Sequence, residues 1–188
     1  TPSDSSAASD VYKRQTLEFD LRKGVTFHNG EKFDADDVVY TLTYISNPEN
    51  GAKPARNVNW WDSAEKLGDY KVRLNLTKEF PAALEFLSGP IVMYPNEYYA
   101  EVGPEGMAMK PVGTGPYAVT SVEPGKRYKF KKNDNYHASS PKGQANIGNI
   151  VIRTIAESNT QLAELFSGGV DWIWTVSYTH LRAHETRT

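Results

Sequence analysis

Leu21-Arg22-Lys23-Gly24-Val25-Thr26-Phe27-His28-Asn29-Gly30, followed after Glu31-Lys32 by Phe33-Asp34-Ala35-Asp36-Asp37-Val38-Val39-Tyr40, changes its apolar period partway along. Upstream, Leu17, Phe19 and Leu21 alternate with Glu18, Asp20 and Arg22, the pattern of a half-buried strand. Lys23-Gly24 turns the chain, Val25-Thr26-Phe27 is a second short extended run, and Asn29-Gly30 is a strong turn signal. Asp34 then stands where a helix N-cap belongs. Val38, Val39, Leu42 and Ile45 recur at helical spacing, with Asp36 and Asp37 favoured by the positive end of the helix dipole. Asn47-Pro48 ends that helix.

Further along, 47–59 is a polar loop followed by Trp60 and Trp61. Val72, Leu74 and Leu76 alternate with Lys71, Arg73 and Asn75 in another strand, with Gly68-Asp69 as the turn before it. Pro81 suits the first turn of a short helix through Leu87, closed by Gly89; 91–94 reads as a brief strand and Pro95-Asn96 as a helix start. Gly and Pro crowd 103–116, which reads as the boundary between two lobes. Strands resume at 117–122, at 127–131 after Pro124-Gly125, and at 147–155. Ser158 with Gln161 has the spacing of a capping box, for a helix whose apolar face is Leu162, Leu165 and Phe166. Gly168-Gly169 closes it, and 170–174 is a final extended run. Mixed strands and helices with several hairpins give an α/β or α+β class.

The 188 residues suffice for one ordinary domain or two small ones. Lys plus Arg is 21 and Asp plus Glu 23, a net charge of −2, without the basic excess of a nucleic-acid binder. Hydrophobic residues at 39% and aromatics at 12% are too many for a disordered chain. No apolar stretch reaches bilayer-spanning length. With no Cys there is no disulfide framework, thiolate metal site or Cys nucleophile. The ends differ in character: 1–15 and 176–188 have no core-forming pattern and resemble translated sequencing-adapter DNA, so both are expected to be non-native tails.

Several motifs weaken on inspection. Gly113-Thr114-Gly115-Pro116-Tyr117-Ala118 matches G-x-G-x-x-A, but a dinucleotide site needs a strand before it and a helix after it, and here a loop precedes and a strand follows. Lys126-Arg127-Tyr128-Lys129-Phe130-Lys131-Lys132 resembles a basic, aromatic nucleic-acid patch. On a strand, however, Arg127, Lys129 and Lys131 share one face, giving a solvated face over a core face. His28 near Asp34, Asp36 and Asp37, and His180 with His184, lack metal-ligand spacing. Trp172 and Trp174 share a face on an extended chain, whereas Trp60 and Trp61 point opposite ways; large aromatics near segment ends can line a ligand cleft or fill a core.

In order along the chain, the opening stretch, Tyr70-Lys71-Val72-Arg73-Leu74-Asn75-Leu76 with Phe80-Pro81-Ala82, Pro111-Val112-Gly113-Thr114-Gly115-Pro116-Tyr117, Asn133-Asp134-Asn135-Tyr136 and Leu165-Phe166-Ser167-Gly168-Gly169-Val170-Asp171 together resemble the family 5 extracytoplasmic solute-binding proteins. These are the dipeptide and oligopeptide receptors of ABC importers. The resemblance spans about residues 16–175. It departs at Gly169, where the family commonly has Glu or another polar residue.

The resemblance implies part of a two-lobed periplasmic-binding-protein fold (class II-like), truncated at both ends. Residues 16–110 would be the small extra α/β domain of the first lobe and 111–175 part of lobe I. It implies capture without catalysis: a peptide or related small solute (relatives take nickel chelates, glutathione, sugars and opines) held outside the cytoplasmic membrane and delivered to ABC permease subunits. No catalytic residue, metal or cofactor is implied, nor a nucleic-acid partner. The full-length protein is expected to be a monomer, either periplasmic or a cell-surface lipoprotein. Trp60, Trp61, Trp172 and Trp174 are the candidate ligand-binding residues. Two rival readings are a small hydrolase using His28 with Asp34, and a carbohydrate-binding module that stacks sugars on the Trp residues.

Overall fold

The computed structural model describes residues 16–51, 57–89 and 91–174. The expectations for 1–15 and 176–188 lie outside these residues. The first unit is a three-stranded antiparallel sheet ordered β1-β3-β2, from β1 (Thr16–Asp20), β2 (Trp61–Gly68) and β3 (Lys71–Leu76). Central β3 alternates as its sequence requires: Val72, Leu74 and Leu76 are buried, while Lys71, Arg73 and Asn75 are half-buried. Register places Leu17 opposite Leu74 and Phe19 opposite Val72, so the apolar residues of the two strands meet on one face. Helix α1 (Ala35–Ser46) contributes Ala35, Val38 and Leu42 to the same core. The paired strands run to Gly68 and Lys71, so the β2–β3 turn is Asp69-Tyr70, one residue later than the sequence suggests.

Asp34 is the N-cap of α1, and its side chain accepts from the Asp36 N–H at 2.9 Å. Asp37 completes the reciprocal box by accepting from the Asp34 N–H at 2.9 Å. Its other oxygen accepts from the Asn96 N–H, also at 2.9 Å, at the start of helix α3 (Asn96–Met109). One carboxylate, only 2% exposed, thereby satisfies donors at two helix starts. Burial pushes its pKa up, and the two backbone N–H donors pull against that.

Two segments depart from the sequence reading here. Segment 91–94 is not a strand; the Tyr94 N–H donates to Thr41 Oγ1 at 2.9 Å, so its backbone is satisfied by a helix side chain and not by a ladder. The Gly/Pro-rich stretch read as the boundary between lobes is helical as far as Met109, across a break at Gly103, which leaves 110–116 to cross between the units. Gly103 takes φ +66 and Pro104 begins the next turn, the usual roles of Gly after a helix end and Pro at a helix start. Helix α2 (Ala83–Ser88) follows Pro81 and is closed by Gly89, as expected.

The second unit is an antiparallel sheet ordered β4-β5-β6, from β4 (Tyr117–Glu123), β5 (Arg127–Lys132) and β6 (Asn149–Arg153). Helix α4 (Ser158–Phe166) follows. The expected capping box is not formed: Glu157 is the N-cap, and Gln161 Nε2 donates to the Ile155 carbonyl at 2.6 Å. Residues 170–174 belong to no strand. Among the described residues no helix is long and apolar enough to cross a membrane.

Replacing Asp37 with Ala should cost about 2 kcal/mol, since it strips acceptors from two helix starts at once. A lower urea midpoint at constant m-value would show it. The raised folded-state pKa means that Asp37 contributes stability fully below its unfolded value, near 3.8, and loses it as pH rises through the folded value. Asp37→Asn should abolish that component of the pH–stability curve.

Candidate functional site

The chain passes between the two units through 110–116, and His28 holds that crossing. The His28 backbone N–H donates to the Gly113 carbonyl at 2.9 Å. In return the Gly113 N–H donates to His28 Nδ1 at 3.3 Å. Since Nδ1 accepts, the hydrogen-bond network assigns the ring proton to Nε2, which lies 2.9 Å from the Gly115 carbonyl and donates to it. That carbonyl also accepts from Asn133 Nδ2 at 3.2 Å, and the Asn133 N–H donates to the Pro116 carbonyl at 2.8 Å. The crossing is therefore clamped from both units. Its carbonyls are turned to protein donors and β4 follows it, so the G-x-G-x-x-A match is no phosphate cradle.

Arg22 makes a second tie, donating from Nη1 to the Ser139 carbonyl at 2.6 Å, with His137 Nδ1 at 3.4 Å. Burial, and then the neighbouring Arg22 charge, push the His137 pKa down. Nothing in sequence spacing marks this contact, which spans more than a hundred positions.

The four tryptophans separate into two environments. Trp60 and Trp61 are 1% and 3% exposed, with ring centroids 4.7 Å apart at 82°. Trp60 also stacks on Phe80 at 4.8 Å. Their indole N–H groups donate to the carbonyls of Asn57 at 2.9 Å and Leu42 at 3.3 Å. In this chain both rings fill the first unit's core. Trp172 and Trp174 are 69% and 83% exposed and meet edge to face at 5.3 Å. They are the tryptophans that present apolar surface outward.

The segment leading to that exposed pair is anchored by Arg153, whose Nη2 lies 3.1 Å from Glu164 Oε1 and whose Nη1 donates to the Gly169 carbonyl at 3.3 Å. The Gly169 N–H donates to the Glu164 carbonyl at 2.7 Å. A Cβ at Gly169 would run into the Glu164 carboxylate. The departure from the family's usual polar residue thus accompanies a carboxylate folded back over the helix end toward Arg153. The sequence signal available for this was the Gly168-Gly169 pair; the Arg153–Glu164 contact had none.

Among the described residues no group of three or more His, Cys, Asp or Glu side chains is placed to hold a metal ion. His28 has both ring nitrogens committed to backbone groups, and Asp34 is committed to capping α1. The hydrolase reading thereby loses its base and its carboxylate.

His28→Ala should lower stability by about 2 kcal/mol, because it leaves the Gly113 N–H and the Gly115 carbonyl short of a partner. The Gly113 amide should also exchange with solvent faster. Gly113→Ala should cost less than about 1 kcal/mol, since a Cβ there meets His28 Cε1 at an ordinary 3.9 Å. Urea titration and amide exchange check both.

The sequence model of the family described as "Bacterial extracellular solute-binding proteins, family 5 Middle" matches residues 7–187. The glutathione-binding protein GsiB of Pectobacterium atrosepticum is 28% identical over 166 residues, covering 88% of this chain and 32% of that protein. The oligopeptide-binding protein AppA of Bacillus subtilis is 25% identical, covering 81% and 28%. Among solved structures, NikZ from Campylobacter jejuni in complex with Ni(L-His) superposes with a TM-score of 0.73 at 29% identity, covering 83% of this chain and 31% of that one. The chain thus spans about a third of the length of the relatives it matches. With the family pattern matched over nearly its whole length, the chain belongs to the bacterial extracellular solute-binding proteins of family 5.

Proposed function

We propose that this chain is part of the solute-binding component of an ABC importer, which captures a peptide or related small solute outside the cytoplasmic membrane and delivers it to the permease. The observation carrying this reading is the family match along the chain, joined to relatives whose names state a bound glutathione, oligopeptide or nickel–histidine complex. The described residues supply a supporting scaffold: two small sheets locked together at the His28 crossing, with an anchored, outward-facing aromatic pair beyond α4.

In this reading Trp172 and Trp174 lie against solute, their edge-to-face packing presenting a stiff apolar surface at low entropic cost. Trp60 and Trp61 act behind it by filling the core. Peptide is the favoured solute class. Residues 16–110 form the small extra domain and 111–175 part of the first lobe, and the complete protein works as a monomer in the periplasm or as a surface lipoprotein. Its partners are the solute and the permease's membrane subunits.

The test uses the complete receptor. Trp172→Ala should weaken solute binding about tenfold or more in calorimetry, while the variant still unfolds cooperatively at nearly the parental temperature. Unchanged affinity would remove Trp172 from the site. Failure of the parental receptor to bind peptides, glutathione or metal–histidine chelates would sink the transport reading itself.

A further inference from the structure

The two faces of the second sheet differ in kind. Tyr128, Phe130 and Ile150 point to one side and are half-buried. On the other side Arg127, Lys129 and Lys131 of β5 are exposed in a row. Register sets them beside Arg153, Val151 and Asn149 of β6. On the β4 side they meet Glu123, Ser121 and Ala118. Arg127 and Arg153 are direct cross-strand partners, a like-charge pairing that opposes sheet formation. Each is relieved by one carboxylate: Arg127 Nε lies 2.6 Å from Glu123 Oε1, and Arg153 Nη2 lies 3.1 Å from Glu164 Oε1. Lys126, Lys129 and Lys131 form no salt bridge among the described residues. The hydrogen bond from Arg127 holds the Glu123 carboxyl below its ordinary range, and the fields of Lys129 and Lys126 add to that. At the hairpin end a groove of about 340 Å³ opens between Glu123, Lys126, Arg127 and Arg153. The chain as a whole carries −2, so this positive field is local.

A row of cations is not a face that another apolar layer covers. Nor does it resemble the centre of a protein interface, where buried aromatics carry the energy; its aromatic residues are on the opposite face. Successive cations stand about 6.7 Å apart along the strand, two strand residues per step. Such a row of cations, in which Lys129 and Lys131 have no carboxylate partner among the described residues, suits a diffuse plane of negative charge. We propose that this face docks on the anionic phospholipid surface of a bilayer, with Lys126, Lys129 and Lys131 meeting the headgroup phosphates. The attraction orients the sheet's apolar face away from the membrane. It does not depend on which solute the protein carries.

Co-sedimentation of the whole 188-residue chain with lipid vesicles tests this. Vesicles of phosphatidylcholine with phosphatidylglycerol should bind at least about tenfold more tightly than phosphatidylcholine alone, and raising salt should erase the difference. The K129E/K131E variant should lose that binding, and K129Q/K131Q should lose part of it. A control reversal at two exposed lysines elsewhere, K78E/K110E, changes net charge equally and should keep most of it. Equal binding to both vesicle types would assign attachment to apolar surface and overturn the proposal. Equal losses in the two reversal variants would overturn it too, as would no binding at all. Capture by immobilised polyglutamate without vesicle binding would likewise overturn it and point to an acidic protein partner.

Discussion

One imidazole fixes the crossing between the two halves of the described chain, and the Arg22–Ser139 contact is a second tie beside it. The described strands fall into two separate three-stranded sheets, and among the described residues no ladder joins them. What joins them is a short crossing whose backbone needs partners, because buried amides and carbonyls left alone are costly. His28 offers an acceptor on one side of its ring and a donor on the other. It spends the first on the Gly113 N–H and the second on the Gly115 carbonyl, while Asn133 reaches the same carbonyl from the second unit. Neither Lys nor Asp could play both parts, since one only donates and the ionised other only accepts.

The same logic recurs at Asp37, whose two carboxylate oxygens serve the starts of α1 and α3. In each case a polar side chain is kept within the fold because it satisfies backbone groups from two elements at once. The apolar part of the first unit is then ordinary: β1, β3 and α1 close over Trp60 and Trp61. The second unit is built differently. Its sheet has few fully buried side chains, and Ile147, Val151, Ile152, Trp172 and Trp174 are all more than half exposed. Of the exposed apolar side chains, Trp174 and Trp172 are the most exposed, at 83% and 69%.

Local chemistry determined much of this from sequence alone. The period-two runs of β1, β3 and β5, the Asp34 cap, the Asn29-Gly30 turn and the Pro81 helix all rest on neighbours within four residues, and they stand where the pattern put them. The ordered motif blocks carried the family, because their order survives even where single blocks are weak. Tertiary structure decided what depends on distant partners. It drew 91–94 out of any ladder through Thr41, and it let helix resume after Gly103. It turned Gln161 back onto Ile155. It also buried one tryptophan pair and left the other exposed, which the spacing of neither pair foretells. A side chain's neighbours within one turn are written beside it in the sequence. The groups that bury it, or that accept its proton, arrive only when the chain folds; for His28 the partner lies 85 positions away.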